Sequence, residues 1–323
     1  MPEITADLAR TFYSKMMLTR KLSERLRLLR HQGVINIVAL PDGHEGAQVG
    51  SASALRAGVD FFYTYYRDMG VAIALGMRPH DFMAQAFARV TDPNSRGRLL
   101  PGDLNYPPLK LMAGGGPIAT QLPQAAGTAL ASTIKGEDAV TIVYFGEGAS
   151  SEGEFHEACN LAGLHHLPVI FFCENNHYAL SVPLGNEVAG GTVSCRAAGY
   201  GFRGITVDGN DVMAVYDATY EARERARRGE GPTLIEALCY RLAAHSTDDD
   251  DSRYRNRDEV EARRADDPLL RLKRVIVQRE WLSDTEMARL DAEAAAEIRD
   301  AQRYAEESPH PDPSELWEHL YGT

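Results

Sequence analysis

A glutamate and an asparagine 29 positions apart, Glu147 in GEGAS and Asn176 in ENNHY, are the residues of this 323-residue chain whose types and spacing point most directly to chemistry. A carboxylate and an amide oxygen, with a backbone carbonyl close by, form a hard-oxygen set. Such a set suits Mg²⁺, which keeps a near-octahedral shell and completes it with water or phosphate oxygens. Gly146 and Gly148 flank the glutamate and leave room for a diphosphate against the backbone. A helix beginning near Ser151 would aim its free N–H groups at that anion. The expected site is a metal-diphosphate cradle.

Two apolar runs must position it. Val140–Phe145 and Val169–Cys173 are rich in β-branched and aromatic residues, and each stops at a polar loop, the pattern of buried strands. Between them Ser151-Glu152-Gly153-Glu154 fits a capping box, and Phe155, Cys159, Ala162 and His166 recur at helical spacing. Strand, loop, helix, strand forces the two strands parallel. Both loops then leave carboxyl ends, the edge where open α/β sheets bind ligands. Farther on, GITVDGNDV to LIEALCYRL reads as strand, turn, amphipathic helix and strand. Asp208 and Asp211 fit turn and N-cap roles better than metal ligation. The fold class expected is α/β: a doubly wound, mostly parallel sheet flanked by helices, forming one domain over residues 1–323. An N-terminal helix at about 5–32 carries Leu8, Phe12, Met16, Leu22, Leu26 and Leu29 on one stripe. A helical C-terminal part spans about 258–323 and ends in a short helix capped by Asp312.

Composition narrows the function. The chain is 44% apolar and 25% charged with net charge −12, which argues against a general nucleic-acid or anionic-membrane surface. No run approaches the roughly 20 apolar residues of a membrane span. MPEITADLARTFY lacks the basic start and apolar core of a signal peptide, so a cytoplasmic location is expected. Cys159, Cys173, Cys195 and Cys239 show no CxxC spacing and read as reduced packing residues. The Asp248–Asp251 run reads by itself as a solvated, flexible loop.

GEGAS and ENNHY together resemble the thiamine diphosphate motif, which begins Gly-Asp-Gly and ends Asn-Asn about thirty residues later. Within that superfamily GEGASSEGEFHEACNLA and FFCENNHYALSVP are similar to the α subunit of the 2-oxo acid dehydrogenases. GHEGAQVGSASAL and HDFMAQAFARVTDP look most like its branched-chain, 2-oxoisovalerate-type members. The resemblance spans Leu8 to Tyr321. It implies thiamine diphosphate and Mg²⁺ as cofactors, the metal held by Glu147, Asn176 and the carbonyl of Tyr178, with Gly148 and Ala149 beside the diphosphate. Glu147 departs from the motif, which has Asp.

Tyr66 and Arg67 match a Tyr-Arg pair that binds the diphosphate in this family, as a planar guanidinium suits phosphate oxygens; read alone they are a strand end with a solvated Arg. Gly116 and Ile118 correspond to contacts with the aminopyrimidine, although the small residues of Gly114–Gly116 and of the helix at 122–134 are sufficiently explained by close packing. The pair His44-Glu45 opens a helix and reads as a cap. His245, at a strand's carboxyl end, resembles the family's cofactor-contacting, catalytic histidine, and Ser246 the position phosphorylated in some members. Within 95–110, a proline-rich loop, Asp103 stands where the family has a substrate-side His. The resemblance further implies oxidative decarboxylation of a 2-oxo acid with acyl transfer to the lipoyl group of an acyltransferase core, and a β subunit in an α2β2 heterotetramer. The glutamate that activates the aminopyrimidine belongs to that partner, so this chain alone should be inactive. Pyruvate or acetoin as substrate, and a non-catalytic regulatory α-like subunit, are the alternatives. A nicotinamide-binding fold fits poorly, because no strand leads into GxGxxG.

Overall fold

The computed structural model describes residues 3–112 and 114–318. Its strands among these residues are β1 (Phe61–Tyr63), β2 (Leu111–Met112), β3 (Thr141–Gly146), β4 (Val169–Asn175), β5 (Tyr178–Ala179), β6 (Val182–Pro183), β7 (Arg203–Asp208) and β8 (Thr233–Leu238). Six of them form a parallel sheet in the order β2-β1-β3-β4-β8-β7, and β5 pairs antiparallel with β6. The helices are α1 (Ala6–His31), α2 (Glu45–Ser53), α3 (Met69–Leu75), α4 (Pro79–Ala86), α5 (Gln121–Lys135), α6 (Gly153–Leu164), α7 (Val212–Arg227), α8 (Arg257–Arg264), α9 (Pro268–Gln278) and α10 (Asp284–Glu307).

The continuous apolar runs become strands buried on both faces, because alternate side chains feed two separate cores. Ile142 and Tyr144 of β3, with Ile170 and Phe172 of β4, join a core built from α1, α2, α3, α7, α9 and α10. Val143, Phe145, Phe171 and Cys173 join the core beneath α5 and α6. Helices on both faces make the sheet doubly wound. β3 and β4 run in register from Thr141 opposite Val169 to Gly146 opposite Glu174, so their polar loops emerge side by side. Among the described residues no helix is long and apolar enough to cross a membrane.

The expected N-terminal helix is α1, capped by Thr5, with Gly33 at φ +72° just beyond its end. Asp211 caps α7 through the Met213 and Ala214 amides, and Asp208 accepts from the Asn210 amide and from Arg271. The close packing foreseen around Gly46 and Gly50 has a simple cause: a Cβ on either would lie 2.6 Å from the carbonyl of Gly209 or Val212 at the start of α7.

Three local expectations are corrected. Ser151 does not cap a helix: residues Glu147–Ser151 form a 3₁₀ turn, and α6 starts at Gly153 behind Glu152, which makes no side-chain cap. Ser150 Oγ donates to the Glu147 carbonyl at 2.6 Å, and this bond favours the tighter turn. His166 lies past the end of α6 at φ +47°. The segment after Asp312 is a 3₁₀ turn, Pro313–Trp317, although Asp312 does cap it through the Ser314 amide. Residues 1–2 and 319–323, within the 1–323 domain expectation, and Tyr321 with them, lie outside the described residues. Four free thiols are present, and Cys195 is exposed rather than packed.

Arg20 of α1 ties three helices together. It donates to Glu45 Oε1 of α2 at 2.5 Å and to Asp267 Oδ2, ahead of α9, at 2.8 Å. Glu45 is fully buried and also accepts from the Gly43 amide at 2.8 Å. Replacing Arg20 with Met strands that carboxylate without a counter-charge, which costs about 3–5 kcal/mol; the expected reading is a matching drop in unfolding free energy by chemical denaturation.

Candidate functional site

The loops after β3 and β4 meet through one hydrogen bond, from the Asn176 amide to Glu147 Oε2 at 3.1 Å. Asn175 Oδ1 accepts from the His177 amide at 3.0 Å, and Asn176 Oδ1 from the Tyr178 amide at 3.3 Å. These bonds fold the chain tightly enough that His177 sits at φ +72°, a conformation few side chains adopt. Buried Glu236 of β8 braces the turn from behind by accepting from Asn175 Nδ2 at 2.6 Å.

A cavity of ≈ 360 Å³ opens over this turn. Tyr66, Arg67, Gly116, Ile118, Glu147, Gly148, Ala149, Asn176, Tyr178 and His245 all line it. Residues separated by up to 179 positions thus converge because β1, β3, β4 and β8 end at one edge of the sheet. Gly146 lines it too, and four further lining residues, Tyr65, Ala179, Leu180 and Arg241, carry no site assignment from the sequence.

The electrostatics of the cavity are unbalanced. Arg67 is buried, and among the described residues its guanidinium donates to the carbonyls of Leu40 at 2.8 Å and His245 at 3.0 Å and faces His245 Nδ1 at 3.5 Å. Arg241, also buried, donates to the Leu180 carbonyl and to the Tyr254 hydroxyl, both at 2.9 Å, and stands 3.2 Å from His245 Nδ1. Among the described residues neither guanidinium forms an ion pair with a carboxylate, and each Nε lacks a partner. Burial and these two cations push His245 down to about 3, so the imidazole is neutral. Nδ1 facing two donors makes it the acceptor, and the remaining proton resides on Nε2. Burial pushes Glu147 up to about 7, and its Oε1 is buried without a partner.

A polar layer beneath the cavity holds Arg67 in place. Gln48 of α2 donates to the Arg67 carbonyl and to Glu174 Oε2, both at 3.1 Å, and accepts from the Gly70 amide at 3.0 Å. Tyr65 donates its hydroxyl to Glu174 Oε2 at 3.0 Å and its amide to Asp68 Oδ2 at 2.8 Å. Burial raises Glu174 to about 7, and burial together with the Glu174 charge holds Asp68 well above the usual carboxylate range.

The acidic segment after His245 keeps Asp248 and Asp250 exposed, as composition suggests, and each of its four aspartates also accepts a hydrogen bond. Asp248 pairs with Arg30 at 2.7 and 3.0 Å. Asp249 accepts from the His245 amide at 2.9 Å and from the Tyr254 hydroxyl. Asp250 accepts from Ser252 at 2.6 Å, and Asp251 pairs with Arg255. Asp248 thus finds its donor on α1, and the other three aspartates find theirs within residues 245–255. Arg241 is the residue that sequence reasoning missed. Its only signal was an arginine inside the apolar run CYRL, where a long cation has to find buried acceptors or a ligand.

The arrangement offers an anion two desolvated guanidiniums and a cation three oxygens: the Glu147 carboxylate, the Asn176 amide and the Tyr178 carbonyl. Among the described residues no cluster of three His, Cys, Asp or Glu groups is poised for a metal. A cation here would need oxygens from its anionic ligand, as Mg²⁺ takes them from phosphates.

The Glu147 shift has a testable sign. Its carboxyl titrates near 4.5 in the unfolded chain and about 7 in the fold. Between those values the unfolded chain has released the proton and the folded one has not, so stability falls as pH rises through that window. Glu147→Gln removes the loss: without divalent metal it is expected to be more stable than the parent by roughly 3 kcal/mol at pH 8 and equal to it at pH 4, measured by denaturant unfolding.

Comparison with known proteins follows the same lines. The family described as dehydrogenase E1 component matches residues 13–314. The chain is 47% identical over 319 residues to the 2-oxoisovalerate dehydrogenase subunit alpha of Bacillus subtilis (strain 168), covering 98% of this chain and 96% of that protein. It is 37% identical over 321 residues to the mitochondrial 2-oxoisovalerate dehydrogenase subunit alpha of Homo sapiens, covering 99% of this chain and 72% of that protein. The corresponding mitochondrial protein of Dictyostelium discoideum is 36% identical over 322 residues, covering 99% and 73%. With the parallel sheet, the convergent loops and these matches in agreement, the chain belongs to the dehydrogenase E1 component family.

Proposed function

We propose that this chain is the α subunit of a thiamine-diphosphate-dependent 2-oxo acid dehydrogenase of the branched-chain type, folded as one cofactor-binding domain. The observation that carries the reading is the charge imbalance of the cavity. Arg67 and Arg241 are buried without counter-ions beside the orphaned Glu147 Oε1, which is the complement of a diphosphate bridged to Mg²⁺. Glu147, Asn176 and the Tyr178 carbonyl hold the metal; Tyr66, Arg67, Arg241, Gly148 and Ala149 hold the diphosphate. Gly116 and Ile118 meet the aminopyrimidine, Ile118 helping to keep the cofactor bent.

Decarboxylation of the 2-oxo acid draws on the electron sink that a bound thiazolium supplies. His245 contributes a neutral ring: its Nδ1 is occupied by the two arginines, so Nε2–H serves as a hydrogen-bond donor at the substrate side. A histidine held down to about 3 does not act as an imidazolium acid near neutral pH. The reading includes a β subunit that supplies the activating glutamate in an α2β2 assembly, a lipoyl-bearing acyltransferase core as acyl acceptor, and a cytoplasmic location.

The test is calorimetric titration of thiamine diphosphate with Mg²⁺ into this chain co-expressed with its β partner, followed by decarboxylation assays on 3-methyl-2-oxobutanoate, pyruvate and acetoin. Binding with preferential turnover of 3-methyl-2-oxobutanoate is expected, and no turnover by the chain alone; absence of cofactor binding to the complex overturns the reading in favour of a regulatory subunit. Arg67→Ala and Arg241→Ala are each expected to weaken cofactor binding at least tenfold, with a smaller fall in kcat at saturating cofactor, because a diphosphate clamp acts on ground and transition states alike.

A further inference from the structure

A second cavity adjoins the first and shares Tyr66, Gly116 and His245 with it. Its remaining wall is formed by apolar Ile37, Val38, Ala39, Leu100 and Pro101 and by Ser246, with a single charged group, Asp103, and no cation. Asp103 is 7% exposed, its carboxylate accepts no hydrogen bond among the described residues, and it lines this cavity. Burial alone raises its carboxyl; no neighbouring charge stabilises it. A desolvated, unpaired carboxylate is costly, and it is also rigidly aimed. Gln85 donates to the Asp103 carbonyl at 2.8 Å and accepts from the Gly102 amide at 3.1 Å. Gly102, at φ +102°, lies so close to Tyr66 that a Cβ there would stand 2.2 Å from the Tyr66 carbonyl.

We propose that this cavity receives the side chain of the 2-oxo acid and that Asp103 is a specificity-determining residue, excluding substrates whose side chain carries a second carboxylate. The inference rests on the dehydrogenase reading above. Every 2-oxo acid carries the C1 carboxylate, so a charge acting on that group slows all substrates alike. A charge facing the side chain discriminates instead: apolar wall residues accept a branched aliphatic group, while a like charge beside them repels a second carboxylate.

The experiment compares kcat/KM for 3-methyl-2-oxobutanoate, pyruvate and 2-oxoglutarate in the cofactor-loaded α/β complex, with Asp103 intact, as Asp103→Asn, which conserves size, and as Asp103→Leu, which adds apolarity. Thermal midpoints and cofactor affinity of each complex establish that the variants are assembled. The expected result is at least a tenfold rise in the ratio of 2-oxoglutarate to 3-methyl-2-oxobutanoate in Asp103→Asn, with Asp103→Leu favouring the branched substrate. An equal change for all three substrates overturns the inference and assigns Asp103 to the C1 carboxylate. An unchanged ratio also overturns it, since the charge is then neutralised by the β partner. A parent complex that binds the cofactor but turns over none of the three overturns the dehydrogenase reading, and this inference with it, separately from either outcome.

Discussion

Two guanidiniums buried without counter-ions at the carboxyl edge of a parallel sheet are the constraint on which the rest of this structure depends. Removing a cation from water is unfavourable, and the interior offsets the penalty only through acceptors of good geometry. Arg67 and Arg241 find part of that compensation in backbone carbonyls on three segments, those of Leu40, His245 and Leu180. These carbonyls are free because their segments are loops rather than ladder strands. The loops are therefore shaped as much by the arginines as by any ligand, and the cavity keeps a surplus of positive charge that an anion can satisfy.

The same charge balance explains the polar layer beneath. Glu174, the residue that continues β4 into its loop, accepts from Gln48 and Tyr65, and Gln48 in turn fixes the Arg67 carbonyl and the Gly70 amide. Burial raises Glu174 to about 7, while its hydrogen bonds from Gln48 and Tyr65 and the Arg67 charge act in the opposite direction, so the layer is also coupled electrostatically to the arginine it positions. The network connects α2, the start of α3 and β4, so the Arg67 side of the cavity is attached to the core rather than to surface loops.

The segment after His245 belongs to the site for a geometric reason. Arg241 donates to Tyr254, Tyr254 to Asp249, and Asp249 accepts from the His245 amide, a closed ring that fixes the imidazole between the two guanidiniums. Glu259 of α8 then receives the hydroxyls of Tyr178 at 3.0 Å and Tyr240 at 2.8 Å. The carbonyl of Tyr178 and its side chain thus answer to different parts of the molecule, the first to Arg241 at 3.4 Å and the second to α8.

Sequence alone determined the strands, their parallel pairing and the edge at which function would appear, because those follow from local properties: apolar runs of strand length, a helix between them, and polar residues where each run stops. It also singled out Glu147 and Asn176 as an oxygen-bearing pair, which the adjacent strands bring together through the Asn176 amide. The same local reasoning failed at Ser151, where a side-chain bond from Ser150 won over a capping box, and it could not foresee that exposed Asp248 would pair with Arg30 of α1. Arg241 and the neutral state of His245 were decided only by tertiary structure. Both depend on which buried groups lie within a few ångströms across segments more than 170 residues apart, and the energy of an uncompensated charge is a property of that enclosure, not of any neighbour in the chain.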